Sequence, residues 1–394
     1  MRKLLIIVLI STFYFSKAQN DNLNFFIPDT ENRLKQIGSS SLKIGGYGQV
    51  DYNQTFDKNN KTAGLLDVHR IILFFGYEFS PKWELTTEIE FEHVKEVYIE
   101  QAYLAYKHNK YLNFKGGLIL IPMGYVNEYH EPLSFFGVER PLIDTKVVPT
   151  TWREIGFGMY GRIPELSMKY QLYLVNGFTG FTTSAKFDGE DAFRGGRQKG
   201  AESRISYPNL SSKIELYGIK NLKIGISGYF GKSQSSLLNS ISKTNEVANL
   251  VADSSVISTS MIGLDATYQL KDLQVRGQMI YASNKNVEAY NQFGNTDLGK
   301  EIYGYYLEMA YNISRNWSKN ARLMPFIRYE NFDTQYKVSG QTLKNEKYHR
   351  TALFAGISYF PTNGVVLKAD FQWLNTNFDN STSKGFNLGV GYMF

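Results

Sequence analysis

The sequence of 394 residues contains no cysteine. Disulfides, thiolate nucleophiles and Cys-ligated metals are excluded, so backbone pairing and packing must hold the chain together. Histidine is also scarce, with His69, His93, His108, His130 and His349 forming no H-x-x-x-H pair. There is no G-x-S-x-G nucleophile elbow, and GGRQKG at 195–200 departs from the phosphate-loop pattern. Only 10 prolines interrupt the chain. Beyond the N-terminus no run approaches the ~20 apolar residues that a membrane helix requires.

At the N-terminus, Arg2 and Lys3 precede LLIIVLISTFYF and then Ser16-Lys17-Ala18. A basic start, a short apolar run and a small-x-small site read as a cleaved signal peptide over residues 1–18. Export without a helical anchor leaves periplasmic, secreted or outer-membrane destinations. Removing Arg2, Lys3 and Lys17 lowers the formal net charge from +6 to +3. The remaining bases are scattered among acids, unlike the basic stripe of a nucleic-acid binder. Residues 19–41 show no period and read as a short periplasmic lead.

What the chain has in abundance is Tyr (28), Phe (27) and Gly (34), a strand-rich composition. Sixteen alternating runs can be read, starting near Leu42, Leu65, Lys82, Val97, Lys110, Glu154, Ser167, Gly200, Asn221, Val256, Leu273, Glu301, Arg322, Tyr348, Val365 and Lys384. In EIYGYYLEMAYNI, for example, Tyr303, Tyr305, Leu307 and Met309 lie opposite Gly304 and Glu308. Short turns such as Ser80-Pro81, Pro164-Glu165 and Pro361-Thr362-Asn363-Gly364 alternate with longer polar connections, at about 123–153, 177–199 and 233–255 among others. That asymmetry predicts an all-β transmembrane antiparallel barrel of about 16 strands over residues 42–394, with short periplasmic turns and long external loops. The chain ends on GFNLGVGYMF, so its last strand is expected to pair with the first and leave no free edge.

One stretch carries a resemblance. A strand ending G-x-x-x-x-P-x-G (Gly117 to Gly124), the element Glu139-Arg140-Pro141, and a strand opening Arg153-Glu-Ile-Gly156 together resemble the phosphate-selective porin O and P family. Phe394, with apolar residues at alternate positions before it, looks like the signal read by outer-membrane assembly machinery. The resemblance implies a homotrimeric channel among outer-membrane lipids for small, often anionic, solutes or ions such as phosphate. The arginine ladder and lysine cluster of the family's anion-selective members have no residue-by-residue counterpart here.

If apolar faces meet lipid, where a charge costs ~2–4 kcal/mol at the midplane, the other faces line the lumen. They then carry Lys43, Arg70, Lys115, Arg162, Lys169, Arg204, Lys223, Arg276, Arg328 and Lys368 against Asp51, Glu84, Glu88, Glu90, Glu92, Glu154, Asp265, Glu308, Glu330 and Asp370. Glu84, Glu88, Glu90 and Glu92 form a carboxylate column, read as a solvated wall paired with bases across the lumen in preference to an acid/base pair or cation site. The connection 123–153 is the expected constriction loop, since a sixteen-stranded barrel is otherwise wide. In it Arg140 and Lys146 serve either solute contact or local pairing that pins the loop. Asp188-Gly-Glu-Asp191 lacks EF-hand spacing.

The candidate pore and constriction residues are therefore Arg140, Lys146, Arg153, Glu84, Glu88, Glu90, Arg276, Arg328 and Lys115. No catalytic residue, cofactor or metal ligand is assigned. The expected function is a passive porin with modest anion bias at most. The rival readings are a barrel phospholipase or esterase, which needs a Ser/His pair on one face, and a surface-binding barrel with a blocked lumen.

Overall fold

The computed structural model describes residues 41–56, 60–239, 241–316, 321–379 and 382–394. The leader at 1–18 and the lead at 19–40 lie outside them. Sixteen antiparallel strands form a closed barrel. They are β1 (Leu42–Phe56), β2 (Leu65–Ser80), β3 (Trp83–Glu92), β4 (Glu96–Lys107), β5 (Asn113–Leu120), β6 (Arg153–Ile163), β7 (Met168–Val175) and β8 (Asn209–Leu216). The second half comprises β9 (Leu222–Lys232), β10 (Ser258–Leu270), β11 (Leu273–Lys285), β12 (Glu301–Tyr311), β13 (Arg322–Lys337), β14 (His349–Thr362), β15 (Val365–Thr376) and β16 (Thr382–Met393). Two short strands, Thr179–Phe181 and Gln234–Ser235, pair in parallel between loops.

Period-2 alternation sets the faces. In β12 Leu307 is 50% exposed while Glu308 beside it is 1% exposed. Tyr305, Leu307, Met309, Ile327, Tyr329, Leu367 and Phe371 belong to the outward apolar band. No described helix is long and apolar enough to cross a membrane; the strands do the crossing. Long and short connections alternate, which gives the barrel a long-loop rim and a short-turn rim.

β1 pairs with β16, Val50 opposite Val390. The last residue continues this ladder, because Gly46 N donates to Phe394 O and Phe394 N to Gly46 O, both at 3.0 Å. The Phe394 ring itself stays 67% exposed on the outside. Its removal therefore leaves the ladder intact. Phe394→Ala is expected to lower the yield of assembled, heat-modifiable barrel in cells several-fold while changing the unfolding midpoint of purified barrel by under ~1 kcal/mol. Unchanged yield in cells would remove the terminal ring from any role in assembly.

One strand differs from the sequence expectation. The run starting near Gly200 is loop, and the strand begins at Asn209. Pro208 has no N–H for a ladder, and the Ser206 and Tyr207 amides donate instead to Gln234 Oε1 at 2.6 and 3.1 Å. Arg204 consequently lies in a loop, and Lys213 is the base that β8 turns inward.

A second irregularity sits in β4, where Glu88 faces Gln101 but Ile89 faces Ile99. Glu100 is the extra residue of this β-bulge, so Glu100 and Gln101 both point inward and alternation changes phase.

Candidate functional site

The connection between β5 and β6 runs inside the barrel. Ile121, Met123, Ile143, Val147, Val148 and Trp152 are buried in one apolar cluster with Phe178, Phe187 and Phe193 of the following long connection. Leu133 and Phe136 enter a second cluster with Phe326, Phe354 and Val366. Small inward residues make room. A Cβ on Gly391 would lie 2.6 Å from Pro132, and one on Gly304 2.9 Å from Ile143. Gly391, and Gly389 with Val138 3.0 Å from its would-be Cβ, are thus explained by the loop they receive.

A loop carried into a barrel must satisfy its backbone there. The wall charges do this. Lys368 Nζ donates to the carbonyls of Phe135 and Gly137, both at 2.8 Å, and Asp370 accepts from Val138 N at 2.6 Å. Arg276 donates to Ser134 O at 2.8 Å, Ser358 to Phe136 O at 2.6 Å, and Ile143 N to Glu330 at 3.1 Å. Lys213 holds Gly124 O at 2.8 Å and Glu128 at 2.6 Å. Arg276 and Arg328 are bridged by Glu308 at 3.5 and 3.3 Å, and Arg328 also contacts Glu330 at 2.9 Å. These two arginines are buried in a network behind the loop.

Within the loop, Arg140 donates to His130 O at 3.3 Å, and Lys146 ion-pairs with Asp191 of the next long connection. Both therefore pin the loop. Burial raises the Asp144 carboxyl to about 8, with Gln278 donating to its Oδ1 at 2.7 Å. Burial opposes charge on His130, but the Glu100 carboxylate outweighs it and lifts the imidazole to about 9.

Of the carboxylate column, Glu84 pairs with Lys107 on β4, Glu88 accepts from Gln101 at 2.9 Å, and Glu90 lies 3.9 Å from Arg70. All three are buried and partnered by neighbouring strands, in place of the solvated pairing across the lumen read from the sequence.

Near the end of this column, where β6 meets the long-loop rim, cations gather. Arg194 and Arg197 both donate to Thr150 O, at 2.8 and 3.0 Å, and Arg153 donates to Thr151 Oγ1 at 3.1 Å. Lys199 lies 4.4 Å and Arg153 5.7 Å from the Tyr98 ring. Carbonyls, a hydroxyl and an aromatic face are thus the close partners of this group, while Asp191, Glu92 and Glu90 act on it at longer range. Burial and then the neighbouring Arg194 and Arg153 depress Arg197 to about 9; burial and Arg197 also lower Lys199. Arginine remains charged at neutral pH, so these guanidiniums stay cationic despite burial and crowding.

Toward the short-turn rim, Lys115 is half-buried among Tyr103, Tyr173 and Tyr160 at 4.9, 4.9 and 5.6 Å. Lys169 lies 3.2 Å from Glu215. Arg194 and Arg197 escaped the sequence reading because loops carry no period to place a side chain. The recorded hydrogen bonds of His69, His93, His130 and His349 go to arginine, aspartate, backbone, asparagine and tyrosine, not to serine.

No family model matches the sequence. The fold is similar to the outer-membrane channel DcaP of Acinetobacter baumannii, at TM-score 0.58 and 12% identity over 90% of this chain and 97% of that one. It is also similar to an anion-selective porin from Comamonas acidovorans, at TM-score 0.55 and 10% identity over 90% and 100% of the two chains. A trimeric form of OmpT, an outer membrane protein of Vibrio cholerae, gives 0.54 and 11% over 90% and 100%. At such identities the likeness is one of fold. An uncharacterised protein of Aquifex aeolicus (strain VF5) is 31% identical over 343 residues, 84% of this chain and 75% of that protein. The chain belongs to the same family as that Aquifex protein.

Proposed function

We propose that the protein is an outer-membrane porin of a Gram-negative bacterium, exported by a cleaved leader at residues 1–18 and passing small hydrophilic solutes with a bias toward anions. The observation that carries the anion bias is the convergence of Arg153, Arg194, Arg197 and Lys199 at the mouth of the barrel, with carbonyl and ring partners in place of carboxylates. Cations that share one peptide oxygen repel each other, and a passing anion relieves that repulsion. Lys115, Arg162 and Lys169 continue a basic track on β5 to β7 toward the other rim. Of the ten wall acids, Glu308, Glu330 and Asp370 are held by arginines, loop amides or Asn387, while Glu90 and Glu92 act on the cluster and keep the bias modest. Inorganic phosphate suits such a cluster, in keeping with the resemblance to the phosphate-selective porins. Trimer formation and use of Phe394 by assembly machinery belong to the same reading.

Replacing Arg194 and Arg197 together by serine is expected to move the zero-current potential in a salt gradient toward the cation side while conductance steps persist. An unchanged potential would take selectivity away from this cluster.

A further inference from the structure

Where the constriction loop crosses β3 and β4, three side chains converge that the anion track does not use. Glu88, Glu100 and His130 are each buried, and one donor atom from each lies within 4.8 Å of the others. We propose that they bind a single first-row divalent transition cation, zinc fitting best, which ties the loop to the barrel wall.

The local geometry prepares each donor. Glu100 is the bulged residue of β4, and only the bulge turns it inward beside Gln101; bulges commonly re-aim a side chain at a functional site. Apart from His130, its two carboxylate oxygens have no side-chain or backbone donor. His130 places Nδ1 at 3.3 Å from the Asn127 carbonyl. A carbonyl only accepts, so Nδ1 carries the proton and Nε2 is the atom that faces the carboxylates. Such a backbone contact on the remote nitrogen is the usual orienting device for a metal-bound histidine. Nε2 pairs with Glu100 Oε1 at 3.2 Å, and a bound cation takes the place of the Nε2 proton. That separation is close to the ~3.3 Å edge of a tetrahedron with ~2.0 Å metal bonds. Glu88 has one oxygen engaged by Gln101 Nε2 at 2.9 Å, which orients the carboxylate and leaves the other oxygen for the site.

Charge and donor type point the same way. Two carboxylates neutralise a divalent ion, and Arg70, the nearby base on β2, is matched by Glu90 at 3.9 Å. One imidazole with two carboxylates suits zinc and its first-row neighbours better than calcium or magnesium, which favour all-oxygen shells. A second cluster, Asp51, His69 and Glu139, also falls within 4.8 Å. There His69 and Glu139 are only half-buried, and Arg70 sits against the imidazole, 3.1 Å from Nε2. It serves as the control.

The test is the metal content of full-length barrel extracted in detergent, loaded with zinc and dialysed against buffer. About one zinc per chain is expected, retained in His69→Gln and reduced at least tenfold in Glu100→Gln and His130→Gln. Equal retention in all variants, or no retained zinc in the wild type, overturns the proposal. Should a variant fail to fold, zinc-edge X-ray absorption on the wild type decides alone. One imidazole with two or three oxygens is expected, and an oxygen-only shell or several imidazoles would refute it.

Discussion

Glu308→Gln should destabilise the barrel by about 3–5 kcal/mol, the effect expected when a buried charge loses its partner. The register sets Glu308 directly opposite Arg276 on one side and Arg328 on the other, and its carboxylate bridges them at 3.5 and 3.3 Å. All three are almost fully buried, so neutralising the middle member leaves two guanidiniums facing each other away from bulk water. Adding Arg276→Gln should recover part of the loss, since two glutamines then face each other and Arg328 keeps Glu330. Glu308→Arg, a change that a merely water-facing position would tolerate, should prevent folding. Next door, Leu307→Arg should cost ~2–4 kcal/mol for a different reason, the entry of charge into lipid. Urea midpoints in lipid vesicles separate the two. An effect of Glu308→Gln below about 1 kcal/mol would mean that solvent reaches the network.

The second large effect concerns the channel. Lys368 and Asp370 on β15 together hold the carbonyls of Phe135 and Gly137 and the amide of Val138. In Lys368→Met/Asp370→Leu these backbone groups lose their partners inside the barrel, where an unsatisfied group costs about 1–3 kcal/mol. The loop segment is then expected to leave the wall, with single-channel conductance rising about twofold or more and becoming noisier, because the narrowest section governs passage. The latch uses side chains of β15 and leaves the backbone ladder of the strands untouched, so the heat-modifiable barrel should still assemble. Wild-type conductance in this variant would show that the loop does not set the narrowest section.

Why the strands were readable and the site only partly so follows from these same residues. A strand at a lipid interface must alternate, and β12 and β16 display that alternation openly. The loop was recognisable by length and by its resemblance to a porin family, but its path was not, because its partners are wall side chains far away in sequence. Lys368 and Asp370 read equally well as pore charges and as loop anchors. Glu100 was hidden by its own bulge, which breaks the period that sequence reading relies on. Arg204 was misplaced and Lys213 missed because of Pro208, where a plausible run of residues has no amide to offer the ladder. The inward glycines of β16 looked merely small until Pro132 and Val138 were seen against Gly391 and Gly389.

The most direct measurement is the zero-current potential of the wild-type protein in a planar bilayer under a tenfold potassium chloride gradient. A perfectly selective univalent pore would reach ~59 mV. Discrete conductance steps with a potential of anion sign, a modest part of that limit, are expected from a basic track beside acids sequestered by the loop. A potential of cation sign would contradict it, and so would assembled barrels that carry no current.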